Sequence, residues 1–299
     1  MPDHNPKTLR GLKALTFDVF GTVVDWRRPV EAALTAALKP QGHSLQRRRS
    51  ATTEDEAAER ADAEARAAAL TPAHVAALAQ EWRDSYKRFT HGFRPGLDAW
   101  KDVDAHHHDS LVALLRRHGL WGVFAAVPGG GEDAAAAAAG EVRELSLVWH
   151  RLTPWPDSAG GLRALGAGGG DGDGDGGAGL GLGLVTATLS NGNRALLEDL
   201  DAFGSLGFGR LLSAEDFGAY KPDPRVYLGA VERLGCEPGE VAMVAAHLND
   251  LDAARKLGLR TIYVERDGEE DWQVGSERDP GVLAQSVWSG EIPTPSPRK

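Results

Sequence analysis

The stretch Leu12-Lys13-Ala14-Leu15-Thr16-Phe17-Asp18-Val19-Phe20-Gly21-Thr22-Val23 decides the fold. A short apolar run, long enough for one buried strand, ends in a carboxylate, and three residues later a glycine permits a sharp turn. Similar runs recur at 184–189, 241–246 and 261–264, with a weaker one at 210–213, and helix-like segments lie between most of them. This βαβ rhythm predicts an α/β fold, a Rossmann-like parallel sheet covered on both faces. Ligands of such sheets collect beyond the carboxyl ends of the strands, so Asp18 stands where a substrate can reach it.

More than 160 residues separate the first run from the second, far beyond an ordinary crossover. They carry helical patterns at 71–89, 109–118 and 132–150, and Thr71-Pro72 has the chemistry of a helix start. The expected organisation is a core of residues 1–25 and 151–299 with an inserted α-helical cap domain at 26–150. Two low-complexity pieces stand out. Residues 46–69, rich in Arg, Ala and Glu, suggest a disordered or solvated helical excursion, and the Gly/Asp stretch 166–183 suggests a flexible loop. In that loop Asp171, Asp173 and Asp175 imitate a calcium loop, but its twelfth position, which requires an acidic ligand, is Leu182. His106, His107 and His108 point in different directions on a helix and have no partners spaced for a tetrahedral site. They are expected to face solvent or to mark the helix entry.

Composition narrows the function classes. A net charge of -10 repels phosphate backbones and anionic lipid, so neither nucleic acid nor a membrane surface is an expected partner. No apolar stretch is long enough to cross about 30 Å of hydrocarbon. The single cysteine, Cys236, cannot form an internal disulfide, and the chain opens on the polar MPDHNPKTLRG; both point to a reducing, cytoplasmic setting.

The remaining strand ends add chemistry in a fixed order. Leu189-Ser190-Asn191-Gly192 offers a hydroxyl, an amide and backbone N–H groups at a helix start, which suits an anion. Tyr220-Lys221-Pro222-Asp223-Pro224 is a stiff loop that would hold one ammonium in place, and Ala245-Ala246-His247-Leu248-Asn249-Asp250 brings a second carboxylate to the same edge. Any one of these has a harmless reading as a cap or turn; four in succession do not.

With this order of Asp, Ser, Lys and acidic strand end, the chain resembles the haloacid dehalogenase superfamily over nearly its whole length, and more closely the type II 2-haloacid dehalogenases. Magnesium-dependent phosphotransferases of the superfamily carry carboxylates where this chain has Phe20 and Ala246, and a phenyl and a methyl leave magnesium too few hard oxygen ligands. The resemblance implies metal-independent hydrolysis of small (S)-2-haloalkanoic acids to (R)-2-hydroxy acids, without a cofactor. It makes Asp18 the nucleophile that forms an aspartyl ester, with Thr22, Ser190 and Lys221 orienting it and balancing its charge. Tyr227 matches a supporting position, Phe20 an apolar wall, and Arg83 in Glu81-Trp82-Arg83-Asp84-Ser85-Tyr86 the arginine that meets the departing halide together with Asn191. Asp250 is the expected helper of the hydrolytic water. His247 and Ala245 depart from the usual Asn and Ser of the type II enzymes; either His247 supplies a base suited to neutral pH, or the site takes another small electrophile, or activity is lost. The resemblance also suggests a homodimer. A magnesium-dependent phosphatase and a catalytically silent binding protein on the same fold are the two rival readings.

Overall fold

Six strands and nine α-helices are present among the residues described by the computed structural model, which are 10–39, 54–124, 131–166 and 183–269. The strands are β1 (Ala14–Phe17), β2 (Val24–Asp25), β3 (Thr153–Pro154), β4 (Val185–Thr188), β5 (Val241–Ala245) and β6 (Arg260–Tyr263). The helices are α1 (Arg27–Leu38), α2 (Glu54–Ala68), α3 (Pro72–Gly92), α4 (Val103–Arg117), α5 (Gly131–Ser146), α6 (Ser158–Gly166), α7 (Arg194–Gly204), α8 (Pro224–Arg233) and α9 (Leu248–Lys256). The chain forms two units, one of residues 1–25, 93–98 and 153–299 and one of residues 26–92 and 99–152. Residues 93–98 thus group with the sheet, although they lie inside the expected insertion.

In the first unit four strands run parallel in the order β4-β1-β5-β6. All residues of β1 and β5 are buried. Coverage on both faces explains why these segments are continuously apolar and do not alternate. The short strands β2 and β3 pair antiparallel. The segment expected as a weak strand at 210–213 makes only isolated bridges, Ala187 with Arg210 and Ser190 with Ser213. The Thr188 hydroxyl takes over part of the ladder there, accepting from Leu212 N–H at 2.8 Å and donating to Leu212 O at 3.0 Å. At Leu212 a side chain stands in for backbone pairing, while Arg210 and Ala214 keep backbone hydrogen bonds to Thr186, Thr188 and Ser190.

The second unit is helical. Along α3 the buried residues Val75, Leu78, Ala79, Trp82, Arg83, Tyr86 and Thr90 form one stripe at three- and four-residue spacing. Helix α4 starts six residues, nearly two turns, earlier than its pattern indicated, because Asp102 caps it by accepting from Ala105 N–H at 2.7 Å. The excursion expected to be disordered or solvated is, from 54 to 68, a helix whose Arg60, Ala63 and Ala67 are buried, so it is a packed element. Residues 46–53, and 167–182 of the Gly/Asp stretch, lie outside the described residues. The histidine cluster also needs correction. His107 is buried, stacked on Trp149 at 4.4 Å, and burial, with His106, Arg83 and His150 nearby, holds it well below the ordinary histidine range. It behaves as a neutral core aromatic. His106 stacks on Phe89 at 4.2 Å, and burial with Lys101 pushes it down to about 4.

Among the described residues no helix is long and apolar enough to cross a membrane.

Candidate active site

Asp18 follows β1 directly, and its N–H donates to Val244 O at 2.9 Å, so the residue is held in sheet register while its carboxylate emerges at the sheet end. The chain then reverses. Val23 N–H and Val24 N–H both donate to Val19 O, and Gly21 occupies φ 84, a left-handed conformation that a glycine adopts without strain. The reversal returns Thr22 to Asp18: its hydroxyl donates to Asp18 Oδ2 at 2.9 Å and accepts from Ala246 N–H at 2.9 Å. Because the Thr22 oxygen already receives a backbone proton, its own single proton is directed at the carboxylate.

Lys221 is set by its neighbour on the next strand end. Lys221 N–H donates to Asn191 Oδ1 at 2.7 Å and Asn191 Nδ2 donates to Lys221 O at 3.3 Å, a two-point clamp on the backbone. The ammonium then donates to Asp18 Oδ1 at 2.9 Å and to Asp250 Oδ2 at 2.6 Å, and Tyr227 OH donates to Asp250 Oδ1 at 2.6 Å. Tyr227 arrives there because Asp223 caps α8 and Pro224 opens it. All four side chains are buried. Burial works against the charge of Asp18, yet the Lys221 ammonium and the hydrogen bond with His247 prevail and hold its carboxyl far below the usual carboxylate range. Burial likewise opposes the Lys221 charge, and Asp18 and Asp250 outweigh it, leaving the ammonium harder to deprotonate than a free lysine. Burial and the Asp250 charge together push the Tyr227 phenol well up, so it stays a donor.

His247 sits at the start of α9 with Nδ1 3.1 Å from Asp18 Oδ2, while its Nε2 lies 3.4 Å from Glu269 Oε2. Glu269 is a buried carboxylate that the strand-end reading passed over. The apolar run 261–264 marks a strand, but the acidic run Glu265-Arg266-Asp267-Gly268-Glu269 after it has the composition of a solvated turn.

Six of the expected residues, Asp18, Thr22, Lys221, Tyr227, Asp250 and His247, therefore form one hydrogen-bonded cluster within the first unit. Ser190 does not join it through Asp18. Its hydroxyl accepts from Gly192 N–H at 3.1 Å and shapes the turn after β4. Asn191 spends its carbonyl and one amide bond on Lys221, so its observed partner is the lysine backbone. Phe20 is buried with its ring against Gly192, where a Cβ would stand 3.3 Å from Cε2, and Ala246 is fully buried. The position of the general acid thus presents a ring and the position that would supply a carboxylate to magnesium presents a methyl, while an ammonium already lies between Asp18 and Asp250. These residues do not fit an octahedral magnesium ion. Among the described residues no group of three or more His, Cys, Asp or Glu is arranged to hold a metal. Arg83 belongs to the helical unit. It is buried there, its guanidinium 4.8 Å from the Tyr86 ring centroid and 5.5 Å from that of Trp26, a setting quite unlike a surface ion pair.

Comparison with known proteins bears on the family. A family described as haloacid dehalogenase-like hydrolase matches residues 12–258. The chain is 34% identical over 121 residues to (S)-2-haloacid dehalogenase 1 of Pseudomonas sp. (strain CBS-3), covering 40% of this chain and 47% of the relative. It is 34% identical over 126 residues to (S)-2-haloacid dehalogenase 4A of Burkholderia cepacia, covering 42% and 48%. The chain thus spans about half the length of the curated relatives it matches. A solved structure of a defluorinating L-2-haloacid dehalogenase is similar at a TM-score of 0.63 and 30% identity, covering 92% of this chain and 90% of that one.

Proposed function

Because the chain belongs to the haloacid dehalogenase-like hydrolases, we propose that it hydrolyses small (S)-2-haloalkanoic acids to (R)-2-hydroxy acids through an ester on Asp18, without a metal. The observation that carries this reading is the buried relay Asp18–Lys221–Asp250, closed by Thr22 and Tyr227 and bordered by Phe20 and Ala246. A carboxylate kept ionised and shielded from bulk water is a competent nucleophile toward carbon. One of its oxygens attacks Cα, the carbon–halogen bond breaks, and the halide leaves with the electron pair. No proton is needed by that leaving group, so the place of a general acid can be taken by the Phe20 ring. Lys221, fixed by Asn191, offsets the charge of Asp18 before attack and of Asp250 afterwards.

Water then adds to the carbonyl carbon of the Asp18 ester, so the substrate carbon is inverted once. Both oxygens of Asp250 already accept short hydrogen bonds from Lys221 and Tyr227, whereas the Nδ1 of His247 directly faces Asp18. The water-activating role is therefore assigned to His247, with Asp250 anchoring the ammonium. Arg83 keeps the role implied by the resemblance, attraction of the departing halide. The test is halide release from the separate enantiomers of 2-chloropropionate with a chelator present, alongside Asp18→Asn. Turnover of the (S) enantiomer that survives the chelator and vanishes in Asp18→Asn is expected. Loss of turnover with the chelator, or activity retained by Asp18→Asn, contradicts the proposal.

A further inference from the structure

We propose that Glu269 is a positioning residue for ester hydrolysis: it fixes the tautomer of His247 so that Nδ1 becomes the basic nitrogen once Asp18 is esterified. The inference rests on the reading of Asp18 as nucleophile and extends it to a residue outside the family motifs.

The placement of Glu269 is built by the fold. Its N–H donates to Arg266 O at 3.3 Å, in the turn after β6. Arg266 is tied down on the same side, donating from Nε to Thr22 O at 3.0 Å, pairing with Asp157 at 2.9 Å and lying over the Trp155 ring at 5.3 Å. The carboxylate of Glu269 then fills the space left by Gly21, where a Cβ would collide with it. One glycine therefore serves both the left-handed turn that returns Thr22 to Asp18 and the approach of a second carboxylate to His247.

The imidazole consequently stands between two carboxylates, hydrogen-bonded to Asp18 through Nδ1 and at an ion-pair distance of 3.4 Å from Glu269 at Nε2. Ionised carboxylates only accept hydrogen bonds, and a neutral imidazole has one N–H, so both contacts are favourable together only when the ring carries both protons. The other charges that bear on this ring are Lys221, on the opposite oxygen of Asp18, with Asp250 behind it, and Arg266 on the Thr22 carbonyl. Esterification neutralises Asp18 and leaves Glu269 charged. The Nδ1 proton loses its anionic acceptor and departs to solvent, while Glu269 retains the proton on Nε2. A lone pair at Nδ1 now faces the ester.

Water between them gives its proton to Nδ1 as its oxygen bonds to the ester carbonyl carbon. Collapse of the tetrahedral adduct breaks the bond from that carbon to the alkyl oxygen, which takes the proton back from Nδ1. The protonated Asp18 so formed gives its proton to Nδ1, and the starting imidazolium is restored. The overall balance is haloacid plus water to hydroxy acid, halide and one proton.

The experiment is a rapid-quench single turnover of (S)-2-chloropropionate by Glu269→Gln and Glu269→Asp beside the parent enzyme, with halide and protein-bound ester followed separately across pH. For Glu269→Gln the account expects halide release within about twofold of the parent, ester decay slower by about tenfold, and an acid limb of ester decay moved to lower pH, because the imidazolium has lost an anion. Glu269→Asp should recover part of the decay rate. Equal slowing of both steps, unchanged ester decay, or an acid limb that does not move overturns the role of Glu269. A parent enzyme that releases halide with no ester on Asp18 overturns instead the reading of Asp18, and the inference falls with it.

Discussion

Replacing Lys221 by Met keeps most of the side-chain stem and removes only the charge, which makes it the sharpest probe of the buried relay. At 2.9 and 2.6 Å, and with an effective dielectric constant of about 20, each of the two ammonium–carboxylate attractions is about 6 kcal/mol before solvation is counted. Taking the ions out of water costs several kcal/mol apiece, so the intact relay contributes little net stability. Removing the ammonium alone abolishes both attractions and leaves both carboxylates buried. The expected loss at pH 7 is about 3 to 5 kcal/mol, the range for breaking a buried pair by deleting one partner. In urea this lowers the unfolding midpoint by about 1 to 2 M. The pH dependence carries the sign. In the parent, the depressed Asp18 contributes stability above the unfolded carboxylate range and loses it as the pH falls toward the folded value. In Lys221→Met that contribution is gone and the carboxylates take up protons more readily, so the gap from the parent narrows as the pH falls from 7 to 4. Urea titrations at pH 7, 5.5 and 4 decide it. A variant as stable as the parent at pH 7, or a gap that widens on acidification, refutes the account of the relay.

Other perturbations have equally definite outcomes. Thr22→Val removes both the donor to Asp18 and the acceptor for Ala246 N–H; a loss of about 1.5 to 3 kcal/mol in transition-state stabilisation, seen as a 10- to 150-fold drop in kcat/KM for halide release, is expected. Arg83→Lys keeps the charge but loses the planar fork that lies over Tyr86 and Trp26, so kcat/KM for 2-chloropropionate should fall at least about tenfold with an unchanged circular dichroism spectrum. Unchanged kcat/KM would remove Arg83 from anion binding.

Much of the site could be seen in the chain because its chemistry is local to strand ends. Asp18, the Lys221 loop and Asp250 each follow an apolar run or sit in a proline-stiffened turn, so a one-dimensional pattern carried them. Ser190 and Asn191 were placed correctly at a strand end, but their partners, Gly192 and the Lys221 backbone, depend on how two loops meet, and no spacing encodes that. Glu269 was missed because an acidic run after an edge strand has the composition of a solvated turn; the signal lay 248 residues earlier, in Gly21, whose missing Cβ leaves the room. His107 could have been found. With Val103, Leu111 and Leu114 it makes the inward stripe of α4, and only one of three consecutive histidines can share that face. For α2 the weak stripe of Arg60, Ala63 and Ala67 was hidden by small residues and by an arginine whose stem is buried.

The central claim is that an oxygen of Asp18 bonds to the substrate carbon. A single turnover of (S)-2-chloropropionate in water enriched in oxygen-18, with the enzyme in excess, tests it by mass spectrometry of the peptide containing Asp18 and of the hydroxy acid released. The account predicts heavy oxygen in the Asp18 carboxylate and ordinary oxygen at C2 of the product. Heavy oxygen in the product and none in Asp18 would contradict it.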